Sequence, residues 1–573
     1  MSAVTSGLSL FHPQGRIARP SNPFGKDIAN AALFRALITH GDFEDVAVLN
    51  QAGLTDEELK QELGQAGNVR ISSAALTNTS WPSRHGTLVR GQPYLSELAW
   101  LRRQSHCDQD YSLVGLIHTI APPAVRELIA ACTLAPTHPW DALVCTSPAV
   151  QLAMTAMFDG LAEHCAARLG AVRAPRPRLP VIPLAVDTDA LAQQAADQRS
   201  RNQLRQRLGI ASDDVVALWV GRLSYYEKAF PQSMFQAMAL AAQQCSRRLH
   251  FLLVGWFPGG EPEMQAYKQA VDLLAPDLNV IVLDGNDPQL VAQSWAAADF
   301  FASLVDNIQE TFGLTPVEAM AAGLPVVVSD WDGYRYTVRD HIDGFLIPTL
   351  ISPGGAPGEL LANLHSLELE SYQTYVGAVA QHTAVHIQQA AAAIGRLVDE
   401  SDLRRSMGKA AQQRAQMTFS WPTVVSQYKE LFDELAEVRR RSDPLSAKAG
   451  ACVQPIRGEP FADFRHFATH TLDSVHTLRL ADGVTAADLA GRLEVQLNRL
   501  YPGVRCSADD AHQLLRKLEV AGPVGLNLQV LIGEAPAERG PFLKTTLVWL
   551  AKMGLVDWLP RSDQTPEDRD LPQ

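Results

Sequence analysis

No C-x-x-C pair occurs among the seven cysteines, Cys107, Cys132, Cys145, Cys165, Cys245, Cys452 and Cys506, and their number is odd. That excludes a zinc knuckle and a disulfide framework as organising devices and points to a reducing compartment. A bilayer span needs about 20 consecutive apolar residues. The longest charge-free stretch, Ser371 to Gly395, is broken by Gln373, Gln381, His382, His386, Gln388 and Gln389. The opening residues MSAVTSGLSLFHPQGR lack the basic start and apolar run of a secretory signal. Positive charge is scarce too: 49 Lys and Arg face 62 Asp and Glu, a net charge of -13. This argues against a general nucleic-acid binder. The expectation is a cytoplasmic protein without a membrane anchor, peripheral at most at the inner face of a membrane. Residues 1 to 185 hold 15 Lys and Arg against 15 Asp and Glu, so the whole deficit lies downstream. The first third is the part better suited to an anionic surface.

What is present is a chain of 573 residues, 46% hydrophobic and 19% charged, a composition that folds. At about 150 residues per domain it holds three or four domains. Short apolar runs alternate with Ala/Leu-rich helical stretches, the pattern of a parallel α/β sheet covered by helices. The first series is GLSLFHP at 7 to 13, DVAVL at 45 to 49, SLVGLIH at 112 to 118, DALVCTS at 141 to 147 and LPVIPL at 179 to 184. A second series restarts with VVALWVGRL at 215 to 223 and continues at 250 to 256, 279 to 285, 299 to 306 and 324 to 330. The seam falls near 185 to 200. Residues 439 to 461, rich in charge, Pro and Gly, read as a linker. Beyond it, capping boxes at Thr485-Ala-Ala-Asp488 and Ser507-Ala-Asp-Asp510 precede Leu489, Leu493, Leu497 and Leu500, and Leu514, Leu515 and Leu518, predicting a small helical or winged-helix module.

The chemistry concentrates in ETFGLTPVEAMAAGLPVVVSD, residues 310 to 330. Pro316 suits the first turn of a helix, where its missing N–H costs nothing. Glu310 then falls in the strand-to-helix loop and Glu318 near the start of the helix. Helix N-termini at the carboxyl ends of parallel strands present free N–H groups to anions. The spacing alone proves nothing, because 25 Glu in 573 residues give roughly one Glu-x7-Glu pair by chance. Upstream, however, a strand ends in Gly221-Arg222-Leu223, with Lys228 six residues on. A bidentate Arg and a point-charge Lys suit a diphosphate.

Together, GRL with Lys228, the glycine turn in LLVGW, Glu310-x7-Glu318 and HIDGFLIP at 341 to 348 resemble the donor half of a family 4 glycosyltransferase. The first unit resembles the family through Gly25 in NPFGKDIANAALFRAL, His118 in GLIHTI and PLAVDTDAL; FSWPTVVSQYKELFDEL at 419 to 435 resembles its last helix. The resemblance covers roughly residues 1 to 440. It implies the GT-B fold, two Rossmann-like domains facing across a cleft. The first is the acceptor domain, 1 to 190, completed by a helix at about 419 to 438; the second is the donor domain, 191 to 418; an accessory module occupies 462 to 573. It also implies retaining transfer from a nucleotide-diphosphate sugar, UDP- or GDP-linked, with no cofactor and no metal.

Carried over to this sequence, the resemblance places Arg222 and Lys228 on the diphosphate, Glu310 on the donor sugar's hydroxyls and Glu318 on the ribose. Gly221, Phe312, Gly313 and Leu314 belong to the donor-binding set, with Gly25 closing on the phosphates from the opposite domain and His118 beside the sugar's 6-position or the reaction centre. LVDNIQ and Trp331-Asp332-Gly333-Tyr334-Arg335 depart from the family's pattern, and 351 to 371 is longer than usual. The implied acceptor is a glycan or lipid-linked glycan of the envelope. A protein or peptide recruited by the accessory module, and a non-catalytic nucleotide-sugar sensor, stand as alternatives. An epimerase on the same architecture is a third. Blander readings stay open as well: a dipole-favoured Glu pair at a helix start, an ion-pair cluster of Arg222 and Lys228 with Glu227, a core histidine at 118 and a plain turn at Gly25. Asp187-Thr-Asp189 matches a metal-binding D-x-D pattern but falls at the domain seam, where it fits the interdomain segment instead.

Overall fold

Strands buried on both faces read as continuous apolar runs, and such runs build two parallel sheets here. The computed structural model describes residues 7–13, 25–51, 53–64, 69–443, 453–533 and 535–559. The chain divides into two compact units, Met1–Gln454 and Pro455–Gln573. In the first unit, β1 (Gly7–His12), β2 (Asp45–Asn50), β3 (Arg70–Ala75), β4 (Thr87–Arg90), β5 (Ser112–Leu116) and β6 (Ala142–Val144) form one sheet in the order β3-β2-β1-β4-β5-β6. The second sheet comprises β7 (Val215–Arg222), β8 (Leu249–Trp256), β9 (Asn279–Asp284), β10 (Phe300–Ser303), β11 (Val326–Ser329) and β12 (Gly344–Ile347), ordered β12-β11-β10-β7-β8-β9. All pairings within both sheets are parallel. Each sheet reverses its strand order once, between β1 and β4 and between β7 and β10, where open α/β sheets bind ligands.

Three strands of the parallel sheets, Arg70–Ala75, Thr87–Arg90 and Gly344–Ile347, fall outside the apolar runs read from the sequence. LPVIPL at 179 to 184 forms no strand; its neighbourhood joins β6 only through single bridges, Ala142 to Arg178 and Cys145 to Val181.

The helix Trp421–Arg441 starts with Pro422 in its first turn. Its buried face, Val424, Val425, Tyr428, Leu431, Phe432 and Leu435, sinks into the core of the first domain beside Leu8, Leu10, Phe34 and Val46. The spacing of three and four residues is that of one helical stripe. This helix runs through residues 439 to 441, where the sequence read as linker; residues 444–452 lie outside the described ones. Two Rossmann-like domains in one unit, the second returning its last helix to the first, give the α/β GT-B fold.

After β12, antiparallel strands Thr349–Ile351 and Thr383–Val385 bracket two helices, Ala356–Ser366 and Tyr372–Gln381. The first of these buries none of its residues.

The second unit has a three-stranded antiparallel sheet, Thr477–Leu480 between Leu526–Asn527 and Val556–Leu559, packed with the helices Ala508–Ala521 and Gly540–Lys552 around Leu514, Leu518, Leu547 and Leu550. The Ser507 capping box forms, with Asp510 returning to the Ser507 amide. The Leu489 to Leu500 stripe does not stay helical. Its helix, Asp488–Glu494, is cut short where the Asn498 side chain takes the Arg492 carbonyl at 2.8 Å, leaving Leu497 75% exposed.

Candidate active site

The candidate site is built on the carboxyl ends of β7 and β10. Gly221 sits at φ +152°, and a Cβ at Gly255 on the adjacent strand would stand 2.0 Å from the Gly221 carbonyl oxygen. Two glycines therefore let β7 and β8 close up just where Arg222 leaves the sheet. Arg222 Nη1 donates to Glu227 Oε2 at 2.6 Å, both side chains half-buried. Lys228 Nζ lies 3.7 Å from Glu310 Oε2. The other oxygen of Glu310 accepts the amides of Thr311 at 3.2 Å and Gly313 at 3.0 Å. Gly313, at φ +90°, caps the helix Leu314–Ala321. The carboxylate thus occupies the cradle of N–H groups that a helix start offers an anion. Phe312 contributes backbone only, since its ring is buried edge-on against Phe419 at 5.9 Å. Gly333 is as constrained as Gly313: a Cβ there would meet the Phe312 Cα at 2.3 Å.

Glu318 faces a different space, a cavity of ≈300 Å³ that it shares with Leu314, Ile28 and Ala29 of the helix Gly25–His40, Val186, and Trp421. Burial among these apolar groups pushes its carboxyl up to about 7, while the Lys228 charge pulls the other way. Lys228 is therefore the group that both acids feel. Between the ordinary value of 4.5 and about 7 the unfolded chain has lost this proton and the folded one keeps it. Folding stability contributed here falls as pH rises through that window and levels off above it. Glu318→Gln removes this titration, so its melting temperature relative to the parent should rise from pH 5 to pH 8. A gap constant with pH would show that Glu318 does not titrate there.

Gly25 is the first residue of its helix; residues 14–24, which precede it, lie outside the described ones. The His118 ring lies within the first domain, Nε2 standing 2.7 Å from Asn30 Oδ1 and 3.0 Å from the Gly91 carbonyl. The His118 backbone carbonyl instead reaches across the cleft and accepts from Thr311 Oγ1 at 2.7 Å. Two more bonds cross beside it: Thr146 Oγ1 to the Thr311 carbonyl at 3.0 Å and Ser147 Oγ to Asp332 Oδ1 at 3.2 Å. Sequence reasoning did not single out Thr146, Ser147, Thr311 or Asp332 as site residues. Two of them had a signal: Thr311 stands inside the ETFGL motif and Asp332 in the departure WDGYR. Burial, with Glu310 nearby, pushes the Asp332 carboxyl up to about 7. Asp306, three residues past β10, is pushed up to about 8 by burial.

Asp187 is spent on capping the helix Thr188–Ala195, accepting the Ala190 amide at 3.0 Å. Among the described residues no group of three His, Cys, Asp or Glu is placed to hold a metal ion, and no helix is long and apolar enough to cross a membrane.

The structure thus brings Lys228, Glu310, Gly313 and Glu318 to one helix start, with Arg222 held by Glu227 at the end of β7, the His118 backbone carbonyl bonded to Thr311 and the His118 ring beside Asn30 and Gly91. In comparisons with known proteins, the chain is 27% identical over 259 residues to a D-inositol 3-phosphate glycosyltransferase of Corynebacterium aurimucosum, covering 45% of this chain and 52% of that one. Over 173 residues it is 35% identical to the enzyme of the same name from Geodermatophilus obscurus, covering 29% and 36%. The chain spans about half or less of the length of these relatives. Among solved structures it is similar to Anabaena Alr3699/HepE in complex with UDP-glucose, at 19% identity and a TM-score of 0.47, covering 74% of this chain and 98% of that one. Residues 200–353 match the family model of glycosyl transferases group 1. That range spans β7 to β12 with Arg222, Lys228, Glu310 and Glu318: the second Rossmann-like domain contains a glycosyl transferase group 1 domain.

Proposed function

We propose that the protein is a retaining glycosyltransferase that moves a sugar from a nucleotide-diphosphate sugar, UDP- or GDP-linked, to an acceptor hydroxyl in the cleft between its two domains. The observation that carries this reading is the self-occupied anion cradle: the amides of Thr311 and Gly313, with Lys228 beside them, hold the Glu310 carboxylate. An incoming diphosphate outbids a single carboxylate for these donors, and Glu310, released, turns to the donor sugar's hydroxyls. Arg222 and Lys228 neutralise the diphosphate without a metal. Glu318, in its separate cavity, takes the ribose.

In the transfer, the acceptor oxygen bonds to the anomeric carbon as that carbon's bond to the phosphate oxygen breaks. The bonding pair leaves with the nucleoside diphosphate, and the acceptor proton passes to the departing phosphate oxygen on the same face. Charge on the diphosphate grows as the bond breaks, so contacts from Arg222, Lys228 and the amides strengthen in the transition state. The bonds from Thr146, Ser147 and Thr311 hold the cleft shut and exclude competing water. The family match over 200–353 and the glycosyltransferase relatives support the reaction class.

Thermal-shift measurements with UDP, GDP, ADP and their common sugar conjugates test it. One nucleotide at 100 times its Kd should add about 2.7 kcal/mol of stability, and Arg222→Ala should abolish the shift. No response to any member of the panel would refute the donor assignment.

A further inference from the structure

Beyond the anion cradle the cleft opens into a cavity of ≈720 Å³ with three walls. The first domain supplies Pro122, Pro123, Ala153 and Met157; the donor domain supplies Ile308, Glu310 and Asp332; the helices inserted after β12 supply Ala362 and Tyr375. The sides are mostly apolar, and the carboxylates form a polar end. Of the arginines on its lining, Arg335 is held by Asp330 through its Nε at 2.7 Å and its Nη2 at 3.1 Å, and Arg126 is exposed. Asp332 is held at φ +40° with one oxygen on Ser147. Its other oxygen, Oδ2, is buried and has no hydrogen-bond partner among the described residues. A buried acceptor atom left unmet is costly, and a donor that arrives with a substrate relieves that cost.

We infer that the acceptor is an uncharged amphiphile, its hydroxyl-bearing end hydrogen-bonded to the Asp332 carboxyl beside Glu310 and its apolar body laid along the Pro122, Ala153 and Met157 wall. A phosphorylated polyol fits this end of the cavity poorly, because its anionic group would approach the Glu310 carboxylate while Arg335 on the lining is engaged by Asp330. Asp332 therefore sets acceptor specificity, and the inserted helices form the outer wall against which the apolar body rests. This inference rests on the glycosyltransferase reading for the attacking hydroxyl, and on the cavity alone for the class of ligand.

The test separates the two. Binding of n-octyl β-D-glucoside, below its micelle concentration, is followed by titration calorimetry on the full chain without nucleotide, beside myo-inositol 1-phosphate and glucose. Saturable binding of the octyl glucoside at least tenfold tighter than that of either comparison ligand is expected. Ala153→Trp should weaken it tenfold or more, and Asp332→Leu should lower its use as acceptor by tenfold or more when the nucleotide sugar identified by thermal shift is supplied. Tighter binding of the inositol phosphate, or octyl glucoside binding that Ala153→Trp leaves unchanged, would overturn the inference. A protein that binds the amphiphile but no nucleotide would leave the cavity assignment standing and sink the transferase reading instead. A UDP or GDP shift retained in each variant shows that it has folded.

Discussion

Glu310→Ala should lower turnover by about 10²–10³-fold, the scale seen when a group that acts mainly on the transition state is removed. The same substitution should leave binding of the bare nucleoside diphosphate intact or tighten it about twofold to fivefold, since a partly exposed ion pair contributes at most about 1 kcal/mol. The two effects oppose each other because the proposed transfer gives Glu310 two parts. Its carboxylate holds Lys228 and the amides of Thr311 and Gly313; in the proposed complex it would leave them to the phosphates and hold the sugar. Steady-state kinetics and calorimetric titration with the diphosphate check this pair of outcomes. Turnover and affinity falling together would mean that Glu310 supports the loop rather than the reaction. A loss of turnover under tenfold, in a protein that melts like the parent, would remove Glu310 from the chemistry.

Gly313→Ala should be nearly as damaging, through the backbone. At φ +90° any L side chain is strained, and a Cβ here would stand 2.0 Å from Tyr334 Cε1. The left-handed conformation costs about 1–2 kcal/mol and forced overpacking about 1–3 kcal/mol. The Tyr334 ring cannot readily step aside, since it is buried and its hydroxyl is paired with Ser303 Oγ at 3.2 Å. A fall in stability of about 2–5 kcal/mol by chemical denaturation, with loss of the nucleotide-induced thermal shift, is the expected result. Adding Tyr334→Ala should recover part of the Gly313→Ala loss, since it removes the atom struck. Losses that simply add would place the damage elsewhere.

How far the sequence discloses all this depends on burial. β7, β8, β10 and β11 are readable because nearly every residue in them is apolar and enclosed on both faces, and β9, an edge strand with no buried residue, is readable from its apolar run alone. Arg70–Ala75 hides because it is an edge strand that buries only Ile71. Thr87–Arg90 is central, but four residues are too few to show a period. Leu497 and Leu500 mislead in the opposite sense, since the helical stripe continues in sequence after the α-helix has ended at Glu494, where the Asn498 side chain takes the Arg492 carbonyl. At the site, Arg222 with Lys228 and Glu310 with Glu318 are two short motifs, each legible in its own window, and the parallel pairing of β7 with β10 brings the two together. Ser147 and Asp332 are separated by 185 positions. Their pairing arises only when two domains close, and no short window of sequence carries it.

The helix Trp421–Arg441 also affects how the chain is made. The last strand of the first sheet ends at Val144, yet the apolar face that seals its core arrives only with Val424 to Leu435. At synthesis rates of about 5–20 residues per second, the first domain must wait roughly 15–60 seconds on the ribosome with that face open. Throughout this interval the second Rossmann-like domain is emerging and completing its own core. The first domain therefore becomes native after the second, and Leu8, Leu10 and Phe34 are where a nascent-chain chaperone or a misfolding reaction would find purchase.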